Sequence, residues 1–245
     1  MDAELFQRRR RSFGAAADLY DSIRPSYPPE AVRWLLGDEP RRVVDLGAGT
    51  GIFSRLLASL GHDVVAVEPD DGMRAKLAAT SPGVTAVAGS AESIPLPDET
   101  ADAAVAAQAY HWFDRDVAHP EIARVLRPGG VFGPIWNMRD ESVEWVAELS
   151  RQVSLEDRTG AGSHFEIERV GFGSRFGPVE KAEFRHSTPQ TAETLVALIQ
   201  SRSYYLTADE AAKERVERAV RRLANGLPEP FELPYVTVVY RAERV

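Results

Sequence analysis

The stretch Val43-Val44-Asp45-Leu46-Gly47-Ala48-Gly49-Thr50-Gly51 constrains the fold of this chain more than any other. A short β-branched run ends in an acid and three glycines at alternate positions, and Ile52, Phe53, Leu56, Leu57 and Leu60 then follow at helical spacing. The order is strand, tight turn, helix. Glycine at every second position lets the backbone turn sharply and lie against a ligand, because a Cβ would block the approach. After a second strand-like run, Asp63 to Val67, stands Glu68, where a dinucleotide fold keeps the acid that accepts from ribose hydroxyls. The stretch therefore reads as a nucleoside-binding βαβ unit. A ligand-free turn would explain the glycines alone, but it loses ground once the acid is added.

The spacing separates two nucleoside ligands. A dinucleotide fingerprint needs G-x-G-x-x-G, and counting from Gly47 or Gly49 puts Ile52 or Ser54 where the third glycine belongs. A nicotinamide-dependent reductase is disfavoured on that ground. Composition narrows the field further. The 245 residues suit one α/β domain with a cap or insertion, and 44% hydrophobic with 27% charged residues is ordinary for a globular protein. No apolar run approaches the roughly 18 residues of a membrane span. Met1-Asp2-Ala3-Glu4-Leu5 lacks the basic-then-apolar order of a signal peptide, so a cytoplasmic protein with no membrane partner is expected. Cysteine is absent and the five histidines show no ligand-pair spacing, so no metal is expected. The net charge of −8 argues against nucleic acid as a partner. Arg8 to Arg11 is the local exception, read as a solvated helix face or terminus.

Along the chain, Phe13, Ala16, Ala17 and Tyr20 lie at helical spacing before the Ile23-Arg24-Pro25-Ser26-Tyr27-Pro28-Pro29 break, and a short helix follows over Glu30 to Leu36. Strands are expected at Val43 to Leu46, Asp63 to Val67, Val84 to Ala88, Ala101 to Ala106 and Val131 to Ile135. Helices near Ile52 to Leu60, Asp71 to Thr80 and Asp116 to Val125 separate them, and the alternation signals a parallel sheet with its ligand over the carboxyl ends of the strands. The segments after the first, second and third strands all fall there, as does Gln108-Ala109-Tyr110-His111-Trp112-Phe113-Asp114 after the fourth. His111 is the candidate for orienting an acceptor or removing its proton, with a structural histidine as the alternative. Trp136-Asn137-Met138-Arg139-Asp140 after the fifth strand reads either as a substrate-side segment, with Trp136 and Arg139 as candidates, or as an exposed loop.

In the remainder, Val143 to Val153 is an amphipathic helix and Ala161 to Glu166 a polar loop. Val179 to His186 and Tyr235 to Tyr240 alternate as strands, with two helices between them. Thr207-x-x-Glu210 reads as a capping box and Gly226 as a C-terminal glycine cap. Glu214 with Arg218 and Glu217 with Arg221 are spaced to pair on a solvated face, while Val216, Val220 and Leu223 face inward. The Ser201 to Tyr205 turn, Tyr204 included, is a candidate to close over an acceptor.

D-L-G-A-G-T-G followed by the acid after the second strand resembles the first two motifs of the class I S-adenosylmethionine-dependent methyltransferases. Residues from about Phe13 to Trp136 resemble their type 11 methyltransferase domain, and A-Y-H-W-F-D together with R-P-S-Y-P is similar to its trans-aconitate-methyltransferase-like branch. The resemblance implies a Rossmann-like, doubly wound, seven-stranded α/β sheet, mostly parallel with an antiparallel last strand, and a helical cap over the substrate side. It divides the chain into an N-terminal lid segment (1–40), a cofactor-binding core (41–140) and a section carrying the cap insertion and final strands (141–245).

By this resemblance S-adenosyl-L-methionine is the cofactor. Asp45, Gly47, Ala48, Gly49, Thr50 and Gly51 form its loop, with Glu68 and Pro69 at the ribose. Ser90, Ala91 and Glu92 meet adenine, although many relatives carry Asp where Ser90 stands and Glu92 also reads as an exposed loop acid. Gln108 and Trp112 wall the pocket. Tyr20 and Arg24 become lid residues, the other reading being a core-edge aromatic and a surface ion-pair partner. The expected activity is methyl transfer to a small-molecule carboxylate or hydroxyl by a monomer or homodimer. The rival from another class is a catalytically silent cofactor-binding protein acting as a sensor or partner subunit.

Overall fold

The computed structural model describes residues 17–153 and 167–245. The Arg8 to Arg11 run, the Phe13 and Ala16 positions and the Ala161 to Glu166 loop lie outside the described residues. In chain order the elements are α1 (Ala17–Ile23), α2 (Pro29–Leu36), β1 (Arg42–Leu46), α3 (Ile52–Ser59), β2 (Asp63–Val67), α4 (Asp71–Thr80), β3 (Thr85–Val87) and β4 (Ala101–Ala107). They continue as α5 (Arg115–Val125), β5 (Leu126–Arg139), α6 (Glu144–Val153), β6 (Glu180–Gln190), α7 (Ala192–Gln200), α8 (Ser203–Leu206), α9 (Glu210–Ala224) and β7 (Phe231–Glu243).

The strands form one seven-stranded sheet of order β3-β2-β1-β4-β5-β7-β6. The first five positions pair in parallel and β7 and β6 complete the sheet as its antiparallel part. The strand order reverses at β1, whose Val43, Val44 and Leu46 are buried between β2 and β4. A strand covered on both faces reads as a continuous apolar run, and this one does. β4 is nearly all alanine, and Ala103, Ala104 and Ala106 are fully buried.

The described residues form two compact units. The sheet unit (26–137, 167–184 and 237–245) holds β1 to β4, α2 to α5 and most of β5. Its core joins Leu35 and Leu36 of α2 to Val43, Phe53, Leu57, Val105 and Ile135, with Tyr27 edge-on to Phe53 at 4.8 Å between ring centroids. The helical unit (17–25, 138–153 and 185–236) packs Val146, Leu149 and Val153 of α6 against Leu195, Leu198 and Ile199 of α7 and Val216 and Val220 of α9. The described residues thus change unit at 25/26, 137/138, between 153 and 167, at 184/185 and at 236/237, where the expected sections meet at 40/41 and 140/141.

Several local expectations are corrected. Three helices, not two, lie between β6 and β7. The cap of α9 is Asp209, whose carboxylate accepts from Ala212 N at 2.7 Å; Thr207 instead donates to Ser203 O at the end of α8. An ionised acid at an N-cap gains from the helix dipole as well as from the bond, and so competes well with a threonine two residues earlier. Gly226 follows Asn225, the last cap residue of α9, but is not in the left-handed region, so it is not a left-handed cap. Glu214 and Arg218 do pair, at 3.3 Å, but Glu217 turns inward to accept from Tyr205 Oη and from Gln200 Nε2, and Arg221 lies 3.7 Å from Glu193. Arg127-Pro128-Gly129-Gly130 lies inside β5, not ahead of it, with φ +74° at Gly129.

Among the described glycines the closest obstruction is at Gly133 of β5, where a Cβ would lie 2.2 Å from Leu35 Cδ1 and 3.0 Å from Leu35 Cγ of α2. Leu35 is itself enclosed, so it has little room to move. Gly133→Ala is therefore expected to cost about 1–3 kcal/mol of unfolding free energy through overpacking. Combined with Leu35→Ala it should cost clearly less than the two single changes together. Urea unfolding of the four proteins measures this, and strict additivity would show that the two sites do not share the space.

Candidate functional site

The turn from β1 into α3 is built on left-handed backbone at Gly47 (φ +67°), Gly49 (φ +58°) and Gly51 (φ +86°). A Cβ at Gly47 would stand 2.8 Å from Ala109 Cβ and 3.8 Å from Phe113 Cε1, so this glycine lets the segment after β4 come up against the turn. A Cβ at Gly51 would meet Leu77 Cγ at 2.8 Å. At Gly49 the Cβ position faces open space. The middle of the turn is thus left clear while its two ends are packed.

Glu68, buried after β2, holds the turn in place. Its Oε2 accepts from Gly49 N and its Oε1 from Asp70 N, both at 2.8 Å, while Gly47 N and Ala48 N donate to Val67 O. Pro69 follows, and Asp70 caps α4 by accepting from Met73 N at 2.9 Å. Beneath the turn Asp45 is fully buried. Ser54 Oγ donates to its Oδ2 at 2.6 Å, but Asp45 Oδ1 and Thr50 Oγ1 are buried with no hydrogen-bond partner among the described residues. Burial pushes the Asp45 carboxyl up to about 7; the Ser54 bond opposes that shift and the nearby Glu68 charge adds to it.

After β3 the chain makes a narrow turn in which Ser90 and Ser93 exchange backbone hydrogen bonds, and Ala91 is buried. Glu92 Oε1 accepts from Asp114 N at 2.9 Å, which ties this turn to the segment after β4. Arg124 of α5 fixes the following loop by donating to Ile94 O, Leu96 O and Asp98 and by pairing with Glu121.

The end of β4 carries Gln108 at φ +56°, one of two non-glycine residues in the left-handed region among the described residues. Such backbone is strained and persists only where its surroundings hold it. Here Gln108 N donates to Ile135 O (2.9 Å) and Gln108 Nε2 to Asn137 O (3.0 Å). Asn137 in turn donates to Ser26 O and accepts from Thr237 Oγ1. His111 and Trp112 follow in a 3₁₀ turn over Tyr110–Trp112, their rings 4.7 Å apart. Tyr110 anchors the turn in an aromatic layer, its hydroxyl 2.8 Å from His119 Nε2. Burial, helped by Arg115, pulls His119 down to about 4. Trp136 belongs to the same layer, fully buried and edge-on to Tyr110 and Tyr240.

The structure therefore brings together, within the sheet unit, the glycine turn, Glu68, the Ser90 to Glu92 turn, Gln108, His111 and Trp112. Tyr20, Arg24, Arg139 and Tyr204 belong to the helical unit. There Arg24 lies 4.5 Å from the Tyr20 ring and donates from Nε to Ser201 Oγ (2.8 Å) and from Nη2 to Ser201 O (2.9 Å). Sequence reasoning did not assign roles to Ser54, Asp70, Arg124 or Asn137. Asp70 alone left a signal, as an N-cap acid just before α4. Among the described residues no group of three or more acids and histidines is arranged to hold a metal ion, and no helix is long and apolar enough to cross a membrane.

The sheet order, the glycine turn after β1 and the acid after β2 define a Rossmann-like fold of the class I methyltransferase type. Residues 44–133 match the family described as "Methyltransferase domain". Over 240 residues the chain is 42% identical to an uncharacterized methyltransferase of Mycobacterium tuberculosis, covering 94% of this chain and 95% of that protein. It is 40% identical over 130 residues to a malonyl-[acyl-carrier protein] O-methyltransferase of Methylococcus capsulatus, covering 49% of this chain and 47% of that one. A solved structure, a putative type II methyltransferase from Anaeromyxobacter dehalogenans, superposes with a TM-score of 0.63 at 27% identity, covering 91% of this chain and 97% of that one. The chain belongs to the methyltransferase family and is a methyltransferase of class I fold.

The raised Asp45 carboxyl makes a signed prediction. The folded chain holds this proton up to about pH 7, whereas an unfolded aspartate gives it up near 3.8, so the folded state binds more protons between the two values. Stability from this group therefore falls as pH rises from about 4 to about 7 and is level outside that window. His119, pulled down, has the opposite slope below its ordinary value, so the comparison must be with a variant. Asp45→Asn should gain on the wild type by a few kcal/mol across that window. A pH-independent difference in unfolding free energy would rule out Asp45 as the titrating group.

Proposed function

We propose that the chain is an S-adenosylmethionine-dependent methyltransferase that methylates a carboxylate or hydroxyl oxygen of a small molecule by in-line displacement. The observation that carries this reading is the β1 turn: open space at Gly49, while Asp45 Oδ1 at the end of β1 and Thr50 Oγ1 in the turn are buried with no hydrogen-bond partner among the described residues. A turn serving only to join strand to helix has no use for buried polar atoms without partners, whose cost is borne when a ligand supplies the partners. The cofactor fits this donor set. Its methionine portion would lie along Gly47 and Gly49, with the ribose at Glu68, which can accept further bonds because each carboxylate oxygen offers two lone pairs. Adenine would meet Ser90, Ala91 and the Glu92 oxygen not engaged by Asp114, and Gln108 and Trp112 would wall the pocket within the sheet unit.

When bound, the sulfonium supplies a methyl group: an acceptor lone pair forms the new bond to carbon as the carbon–sulfur bond breaks, its electron pair staying on sulfur. The chain's own work is to position the acceptor and exclude water. A carboxylate oxygen reacts without losing a proton. A hydroxyl needs a base, and His111, held on the turn that Tyr110 anchors, is the group for that role. The likeness to a malonyl-[acyl-carrier protein] O-methyltransferase supports oxygen as the acceptor atom.

Titration calorimetry with S-adenosylhomocysteine tests the cofactor reading. Micromolar binding is expected, weakened at least tenfold in Glu68→Ala, with NADH not binding; circular dichroism checks that the variant remains folded. Absence of binding by a folded wild type would sink the reading, and binding without turnover on any acceptor would favour the sensor. With a hydroxyl acceptor His111→Gln should lower kcat by about 10²–10⁴, and with a carboxylate acceptor it should leave kcat nearly unchanged. Full turnover of a hydroxyl acceptor by this variant would remove His111 as the base.

A further inference from the structure

The strained residue at the end of β4 is held by a chain of contacts that leads to Asn137. Left-handed backbone costs a glutamine energy, because it has neither glycine's missing Cβ nor the short amide with which asparagine bonds its own backbone. Glu99, the other such residue among the described residues, lies in an exposed turn, where that conformation closes the loop. Gln108 lies instead where β4 ends, one residue past the pairing of Ala107 with Ile135. Its N–H continues the ladder to Ile135 O at 2.9 Å, and its side chain takes the carbonyl two residues on, Nε2 donating to Asn137 O at 3.0 Å. A carbonyl only accepts, so this bond also decides which end of the amide is spent. The end that remains is Gln108 Oε1, which accepts no bond among the described residues.

The supporting carbonyl is fixed in turn by its own side chain. Asn137 is buried; its Nδ2 donates to Ser26 O at 3.0 Å and its Oδ1 accepts from Thr237 Oγ1 at 2.6 Å. Ser26 O cannot donate, so the amide cannot be reversed without losing that bond. Ser26 leads into Tyr27, which packs edge-on to Phe53 in the first turn of α3, and Thr237 is a fully buried residue of β7, the neighbour of β5 in the sheet. One buried amide thus braces residue 137 against the segment ahead of α2 and against β7, and Ser26, Gln108, Asn137 and Thr237 all lie within the sheet unit. A buried polar side chain bonded at both ends specifies one geometry, which an apolar residue of the same size would not. That geometry is used at the other end of the chain of contacts. The left-handed turn at Gln108 sends Ala109 against Gly47, where a Cβ on the glycine would lie 2.8 Å from Ala109 Cβ, and it leads into the 3₁₀ turn that carries His111 and Trp112.

We propose that Asn137 is a positioning residue of the methyltransferase site: it holds Gln108 in its left-handed conformation, with Oε1 left to accept from a ligand, and through Gln108 it sets the His111 turn. The hold on Gln108 stands on the bonds above; its service to ligand binding rests on the proposed function.

Fluorine NMR of the full chain labelled with fluorotryptophan reads the turn directly. The chain has four tryptophans, and the Trp112 resonance is identified by Trp112→Phe. Asn137→Ala is expected to move or broaden that resonance while Trp34 and Trp145 keep theirs, and Gln108→Met, which lacks the amide, should do the same. In titration calorimetry each variant should bind S-adenosylhomocysteine about tenfold more weakly than the wild type, and the double variant no more weakly than the worse single one. Such non-additivity marks Asn137 as acting through Gln108. A merely structural Asn137 would lower Tm, leave the Trp112 resonance in place and add its effect to that of Gln108→Met. A folded Asn137→Ala with an unmoved resonance, or with additive losses, therefore overturns the proposal. If Asn137→Ala does not fold, Thr237→Val keeps the shape and removes only the hydroxyl from Oδ1; it should move the Trp112 resonance and weaken binding several-fold, and an unmoved resonance overturns the proposal. If the wild type does not bind S-adenosylhomocysteine, the cofactor reading falls, and with it the service of Gln108 to that ligand, while the resonances still decide whether Asn137 holds the turn.

Discussion

The bonds from Gly49 N and Asp70 N to the Glu68 carboxylate are the contacts on which the rest of the sheet unit's site depends. They join the turn after β1 to the turn after β2, so the two segments that follow the central parallel pair are fixed to each other and not only to their own strands. A charged acceptor makes such bonds strong, and Glu68 is buried, which shields them from competing water. With Gly49 held this way, Gly47 sits close enough to Ala109 that no side chain fits between, and the His111 turn is drawn against the first turn. One carboxylate thereby sets the spacing of segments from three different strands. Under the proposed function the same residue would also accept from the ligand, so that scaffold and site would share a group.

How much of this was legible in the sequence follows from how local each signal is. The strands β1 and β2, the helix α4 and the glycine turn came from short-range patterns: β-branched runs, an N-terminal acid, glycine at alternate positions. β5 was seen only as Val131 to Ile135, yet it runs from Leu126 to Arg139, because Pro128 and Gly129 look like an interruption unless the neighbouring strand that holds them is known. Asn137 shows the limit more sharply. Its side-chain amide joins Ser26 and Thr237 and its backbone carbonyl accepts from Gln108, partners scattered over more than two hundred residues of sequence, and nothing in W-N-M-R-D announces that. Trp136 beside it was read as a possible substrate contact and is packed inside the aromatic layer. Facing could not be read there, because β5 is buried along most of its length and carries no alternation to mark an outward side.

Charge pairing held as a sequence signal for Glu214 with Arg218 and failed for Glu217 with Arg221, for a related reason. Glu217 and Arg221 have the right spacing, but a tyrosine hydroxyl and a glutamine amide reach Glu217 from other helices and offer it a drier, better-defined pair of donors than an exposed guanidinium does. Exposed helix pairs contribute only a few tenths of a kcal/mol, so a tertiary partner easily displaces them.

The distribution of satisfied and unsatisfied charge separates architecture from chemistry in this chain. Arg124 shows the architectural case: its guanidinium is divided among Glu121, Asp98 and two loop carbonyls, its proton is held more firmly than usual, and Glu121 is in turn held below the usual carboxylate range. Nothing in that network calls for a further partner. Asp45 in the sheet unit and Arg24 with its neighbours in the helical unit are the opposite. Each is a charged group whose surroundings push it toward neutrality, with nearby polar atoms left without partners among the described residues. A fold could remove either strain by replacing the residue with an apolar one of similar size, often at no loss of stability. The chain keeps both, Asp45 with Oδ1 unbonded at the end of β1 and Arg24 pulled down by burial beside Arg202, and no partner among the described residues accounts for either.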